Sequence, residues 1–332
     1  MAADWVTWAA LAAFALSPLH RPLSARAART PRRSALILNG AALAEAKDQL
    51  DADEFEVVFR SIDELAFTIE AGAVGVHETV TGRNLADFAF VQVASFPSPT
   101  GTLLNAVADY LRHHGVDAVN AEGIGAPTRL LQYVRLAQAG IPVPASRYLP
   151  PRLLATAYPA LADQFGLPFI LTPVRGGTGR RDLLISDEPG FAELLRTASH
   201  AHFLAREFVP ADATYHLLVL GQEVPIVMRH GIRISECCLP SFPQRDQVSL
   251  IDAATFSAGA RILAVQAASL MGLDVAGVHM VRHWTTGEWY LLAASATPPF
   301  SAGAFAPDKV SAYTAYLQRK LGAATGQNRH PR

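Results

Sequence analysis

Leu167-Pro-Phe-Ile-Leu-Thr-Pro-Val-Arg-Gly-Gly-Thr-Gly179 decides how the chain is read. The run from Leu167 to Thr172 has the length and apolar content of a buried strand, and it empties into a loop with almost no side-chain bulk. Gly176, Gly177, Thr178 and Gly179 leave backbone N–H groups open to an anion, while Arg175, Arg180 and Arg181 surround them with positive charge. The same residues also fit an ordinary hairpin turn with solvated arginines, so the loop alone leaves both readings open.

Downstream of the loop, short strands alternate with tight turns. Strands are expected at Asp182–Ser186, Phe203–Val209, Thr214–Leu220 and Glu223–Met228, the last two turning at Gly221-Gln222. A helix over Ala254–Met271 precedes strands at Ala276–His283 and Trp289–Ser295, joined through Thr285-Thr-Gly287. Upstream, a helix runs from Thr128 to Gly140, and the prolines of Ile141-Pro-Val-Pro144 force an extended connector. Pro150 and Pro151 suggest a domain break near Tyr148.

Further toward the N-terminus, Ala35–Asn39, Glu56–Phe59 and Phe88–Val93 read as strands. A small hairpin is expected from Phe67–Glu70 and Val74–His77, and a helix over Thr100–His114 stops at Gly115. Strands alternating with helices are the signature of βαβ units. The fold class is therefore α/β followed by α+β: a parallel-sheet domain, then antiparallel hairpins.

The chain has 332 residues, half of them hydrophobic and 17% charged, enough for about two folded domains with real cores. Its 28 basic and 29 acidic residues leave a formal charge of −1, which gives no electrostatic footprint for nucleic acid. Only two cysteines occur, adjacent at Cys237 and Cys238, so neither a disulfide framework nor a zinc site is expected, and a reducing, cytoplasmic setting is the default. Trp5–Leu16 is apolar and is followed by Arg21, Arg26, Arg29, Arg32 and Arg33. That pattern is too short to span a bilayer and lacks the leading positive charge of a secretory signal. It reads as an arginine-rich extension ahead of a fold beginning near Ser34, with a peripheral membrane contact as the alternative.

The order of elements resembles the ATP-grasp family, and within it the RimK-like carboxylate–amine ligases. Arg129-Leu-Leu-Gln-Tyr-Val-Arg-Leu-Ala-Gln-Ala-Gly-Ile-Pro-Val-Pro144 is similar to the helix and exit strand that lead into the nucleotide-binding core. Leu167–Gly179 resembles the strand and glycine loop, Arg206-Glu-Phe-Val209 the hinge strand, and Leu217–Arg229 the next hairpin. Gly272–His279 with Trp289–Pro298 is similar to the strand pair that carries the metal ligands.

The resemblance implies a pre-ATP-grasp domain at 34–122, a first lobe at 123–210 and a second lobe at 211–322, with an extension at 1–33 and a tail at 323–332. It implies ATP as cofactor, acyl-phosphate chemistry, and a small-molecule or peptide carboxylate as substrate. Arg129, Thr172, Arg175, Gly176, Gly177, Thr178, Gly179 and Glu207 then fall at nucleotide-binding positions, and Arg229 at a phosphate-facing, catalytic one. Several positions depart from the family pattern. Thr172 stands where a lysine is expected, and Thr214-Tyr215-His216 replaces an Asp-x-Arg. The magnesium carboxylates become His279, Ala293 and Ser295, which makes magnesium doubtful and no metal ligand assignable, because a hard cation prefers oxygen donors. The alternative to a ligase is a descendant that binds without ligating. Asp274 and Glu288 are the nearest substitute carboxylates, at a strand entrance and in a turn.

Other constellations carry less. His279 and His283 share a predicted strand face about 13 Å apart at ~3.3 Å per residue, too far to chelate one ion. No serine-nucleophile elbow and no dinucleotide glycine fingerprint occurs. The acceptor pocket is expected in the stretch from Gly231 to Asp252.

Overall fold

The computed structural model describes residues 33–40, 43, 47, 55–94, 101–121, 128–174, 182–198, 202–232, 248–298, 300 and 303–327. The first sheet is built from β1 (Arg33–Leu38), β2 (Phe55–Arg60), β5 (Phe90–Val93) and β6 (Asp117–Val119), in the order β2-β1-β5-β6 and parallel throughout. Parallel strands need covered faces, which is why β1 reads as an unbroken apolar run. Leu36, Leu38, Val91 and Val93 pack under Leu104, Val107 and Leu111 of α1 (Gly101–His113). The expected hairpin is present as β3 (Leu65–Glu70) and β4 (Ala73–Glu78).

The next helix, α2 (Arg129–Gln138), starts on the Thr128 side chain, which accepts from the Leu131 N–H, and stops at Gly140, whose φ of +72° favours a residue without Cβ. The second sheet runs β7 (Ser146–Tyr148), β10 (Phe203–Glu207), β8 (Phe169–Pro173), β9 (Leu183–Ile185), all antiparallel. The break expected near Tyr148 is not a boundary. Tyr148 pairs with Leu204 inside this sheet, because the prolines at 150 and 151 open the short helix α3 (Pro151–Leu154) instead of a linker. With α4 (Tyr158–Phe165) and α5 (Glu188–Thr197), α3 encloses Phe169, Leu171, Phe203 and Ala205.

The third sheet has the order β13-β12-β11-β14-β15: β11 (Ala213–Leu220), β12 (Glu223–Gly231), β13 (Val248–Ile251), β14 (Val275–Arg282) and β15 (Trp289–Ser295). One face is covered by α6 (Ala258–Leu270) through Ala260, Ala264, Ala267 and Ala268, small residues that let the helix approach Leu217, Val219, Val278 and Met280. The other face is partly covered by α7 (Ala306–Gln327), whose Tyr313, Tyr316 and Leu317 join Leu218, Met228 and Val275 to Ile37 and Phe90 of the first sheet. The helix runs five residues into the stretch read as a tail. Among the described residues no helix is long and apolar enough to cross a membrane. The arginine-rich run to Arg32, the glycine loop with Arg175, Gly176, Gly177, Thr178 and Gly179, Cys237-Cys238, and 233–247 of the expected acceptor stretch lie outside the described residues.

Asn120 fastens the end of the first sheet to the start of β14. In a left-handed conformation (φ +54°), its amide donates to the Val275 carbonyl at 2.7 Å and accepts from the N–H groups of Asp274 and Val275 at 2.9 and 3.1 Å. At about 1 kcal/mol per bond, Asn120→Ala is expected to cost roughly 3 kcal/mol in urea unfolding. A loss under about 0.5 kcal/mol would show that the joint is not held by this side chain.

Candidate functional site

The edge strand β15 presents backbone groups that no further strand satisfies, and α2 supplies their partners. Pairing along β14 passes from His279–Ala293 to Met280–Leu291, so Leu292 opposes nothing and forms a bulge. The freed Leu292 carbonyl accepts from the Arg129 guanidinium. The Ala294 N–H donates to Gln132 Oε1 at 3.0 Å, and the Leu291 N–H to the Pro142 carbonyl at 2.8 Å. Arg129 is also tied to the second sheet, its own N–H donating to the Val174 carbonyl at 3.0 Å. Arg129 thus spans the junction of the second and third sheets.

Facing it from the second sheet is a buried polar cluster. Arg206 follows Leu204 by two on β10 and so shares its face, diagonal to Thr172 on β8. Its Nε donates to Thr172 Oγ1 at 3.1 Å and its Nη2 to Asp182 Oδ2 at 2.7 Å, with Arg206 3% exposed. Burial works to raise the Asp182 carboxyl, but the charges of Arg206 and Arg129 and the bonds from Arg206 and Thr172 outweigh it and hold it below the usual carboxylate range. Burial raises the Tyr133 phenol of α2, which lies within the fields of Arg206, Arg129, Asp182 and Glu207. Glu207, at the end of β10, accepts from the Ala145 N–H at 2.9 Å through Oε1 and returns its own N–H to the Ala145 carbonyl.

Facing it from the third sheet are three imidazoles. His216 on β11 is paired with His279 on β14, and their rings stack at 3.8 Å between centroids and 18° between planes. His230 on β12 stacks on the other side of His216 at 3.9 Å. Burial, reinforced by the neighbouring imidazoles, keeps His216 well below its ordinary value. Burial and the Lys309 ammonium of α7 lower His230 to about 4, and burial with the Arg129 charge lowers His279 to about 4. His230 is 8% exposed, and neither of its ring nitrogens has a hydrogen-bond partner among the described residues.

Of the residues singled out in the sequence, Arg129 and Thr172 both act on the Asp182 carboxyl at this junction, whereas Glu207 at the end of β10 is bonded to Ala145. The structure places Arg229 elsewhere. Arg229 pairs with Tyr215, which packs on Phe256 and Trp289 on the α6 face, opposite the imidazoles; its guanidinium is bound to Asp212 at 2.8 Å. The pairs His279–Ala293 and Gly277–Ser295 put positions 279, 293 and 295 side by side on one face. Asp274 is ion-paired to Lys320 at 3.3 Å and Glu288 accepts from Thr286 and Tyr290, so both substitute carboxylates are engaged at the ends of the hairpin. His283 is beyond β14, its Nδ1 accepting from the N–H groups of Thr285 and Thr286 in the turn. No group of three His, Cys, Asp or Glu able to hold a metal occurs among the described residues. Asp182, Arg206 and His230 were not read as site residues; the one available signal was a charged residue at an inward position of the Phe203–Glu207 strand.

No protein-family model matches the chain, and no curated protein matches it in sequence. Solved structures do match in fold. The ATP-grasp ligase PsnB, complexed with a phosphomimetic variant of minimal precursor, Mg and ADP, has 18% identity and a TM-score of 0.65 over 87% of this chain and 99% of its own. A RimK-domain ATP-grasp protein from Sphaerobacter thermophilus has 18% identity and a TM-score of 0.55 over 88% and 98%. D-alanine–D-alanine ligase from Bacillus anthracis, complexed with ATP, has 13% identity and a TM-score of 0.59 over 88% and 97%. The chain has the ATP-grasp fold.

The imidazoles make stability depend on pH with a definite sign. Their folded pKa values lie below the unfolded value near 6.5, so between about 6.5 and about 4 the unfolded chain holds more protons. Stability from the stack is full above pH 6.5 and is lost as pH falls through that window. The melting temperature is expected to drop steadily from pH 7 to pH 4.5, and His279→Asn to flatten the slope; equal slopes in both proteins would remove His279 from the account.

Proposed function

We propose that this chain binds an adenine nucleotide at the junction of the second and third sheets, as a protein of the RimK-like carboxylate–amine ligase type, with a peptide or small-molecule carboxylate as its second ligand. The observation that carries the reading is Arg129, fixed at the junction of the second and third sheets by its bonds to Leu292 and Val174 within an ATP-grasp fold. On this reading the three sheets act as the pre-ATP-grasp domain and the two lobes, in the cytoplasm. The peptide class of substrate is supported by PsnB, whose structures hold a precursor peptide.

The donor set fits the anionic end of a nucleotide. Arg129 supplies a fixed positive charge, held by the Leu292 carbonyl so that little reorganisation accompanies binding. Arg206 beside it is buried and neutralised by Asp182, so it holds the junction's frame instead of facing the ligand. Bound ATP would supply a phosphoryl group to activate a carboxylate for attack by an amine. The chain's own part is to orient that group and, through the closely packed imidazole face, to limit water. Magnesium does not fit: positions 279, 293 and 295 offer an imidazole, a methyl and a hydroxyl, so no step is assigned to it.

That donor set favours a second reading, a binding or partner-regulating module that has lost ligation, since removing one preorganised charge typically costs 100-fold or more in rate. Thermal melting with ATP tests nucleotide binding: at one hundred times its dissociation constant the nucleotide stabilises by about 2.7 kcal/mol, and no shift at millimolar ATP would exclude the site. Phosphate release in the presence of ATP, a carboxylate-bearing peptide and an amine separates the readings, the ligase releasing phosphate as the amine displaces it from the acyl phosphate and the module releasing none.

A further inference from the structure

The imidazole face has a charge distribution opposite to that of a cation site. His216, His230 and His279 lie on it side by side, the Lys309 ammonium acts on one end and the Arg129 guanidinium on the other. The carboxylate whose charge reaches His279 is that of Asp182, which is committed to Arg206 at 2.7 Å. A divalent cation placed here meets the Arg129 charge and no uncommitted carboxylate among the described residues, and in a half-buried setting that repulsion is not screened away. An oxygen anion meets the reverse: the Arg129 guanidinium and imidazole N–H donors. His230 adds an independent observation. It is more than nine-tenths buried with both ring nitrogens unpartnered among the described residues, and a buried donor left without an acceptor costs about 1–3 kcal/mol. His216 and His279 are half-buried, so the stack has an edge a ligand can reach.

We infer that the His216–His230–His279 face binds an oxyanion directly, with no divalent cation between protein and ligand. The inference rests on the nucleotide reading only for the source of that oxyanion, either a phosphoryl group or the carboxylate of the second ligand.

The test is isothermal titration of the full chain with pyrophosphate and, separately, with N-acetylglutamate, each in EDTA and in excess magnesium. At least one probe is expected to bind saturably in EDTA, with magnesium tightening it less than twofold. His279→Asp places a negative charge at the half-buried end of the stack and is expected to weaken binding at least tenfold in EDTA; His216→Asn removes one ring without adding charge and is expected to weaken it severalfold. Circular dichroism melts confirm that each variant is folded, and the charge-neutral variant keeps the comparison available should His279→Asp fail to fold. No binding of either probe in EDTA, or equal affinity in a folded histidine variant, overturns the inference. ATP stabilisation that persists while both probes fail leaves the nucleotide reading intact, whereas pyrophosphate binding without any ATP-specific stabilisation sinks that reading and leaves this one.

Discussion

The site depends on an unpaired sheet edge being satisfied by a helix. β15 ends the third sheet, and its outward N–H and C=O groups would otherwise be left to solvent or to another chain. Gln132 and Arg129 of α2, with the Pro142 carbonyl, take three of them: the N–H of Ala294, the carbonyl of Leu292 and the N–H of Leu291. Because the Arg129 N–H is bound to Val174 of the second sheet, the same helix turn sets where the two sheets meet. The Leu292 bulge is what aims a carbonyl at Arg129 while Ala293 remains opposite His279. The guanidinium beside the imidazole stack therefore follows from backbone accounting as much as from any demand of chemistry.

The strand order was legible because its signals are local. Alternation, a glycine stop or a proline bar act within a few residues, and the expected strands lie within three residues of where the pattern puts them, whereas the three- and four-residue strands β6, β7 and β13 are too short to carry a pattern of their own. What was not legible depends on which face a partner covers. Arg229 sits in a strand, as expected, but its direction is set by the pairing with Tyr215 and by α6 on that side, neither visible in the hairpin itself. Asp182 and Arg206 form a pair 24 residues apart that only the β9–β8–β10 pairing brings together. The helix α7 drew no expectation, because phenol hydroxyls in its stripe Val310, Tyr313, Leu317, Leu321 blur the apolar pattern that announces a buried face.

Two polar clusters meet at the junction, and they solve burial differently. On the second sheet, Arg206 remains charged because Asp182 and Thr172 surround it, an arrangement in which removing one partner costs far more than the pair contributes. Among the described residues the third sheet offers the imidazoles no carboxylate of its own, so burial is met by keeping the rings neutral and packing them together. Neutral rings tolerate the adjacent Lys309 and Arg129, whereas protonated ones would be repelled by both. The stack is therefore compatible with its surroundings as a set of N–H donors and not as a set of cations.

On the proposed nucleotide reading, that distinction bears on what takes the place of magnesium carboxylates on this face. Aspartate and glutamate at positions 279 and 293 would make the face an acceptor for a hard cation, and the phosphoryl charge would then be neutralised by metal held between protein and nucleotide. With histidine and alanine there, neutralisation falls to the side chains themselves, and Arg129 is the cation already fixed in place by a structural bond. A fixed arginine and neutral donors can bind a group tightly in its ground state. They do not by themselves follow charge as it moves onto a leaving group, which is what separates a binding site from a catalytic one. On the proposed reading, holding a ligand and turning it over are accordingly separable on this scaffold, and the residues at 279, 293 and 295 are where they part.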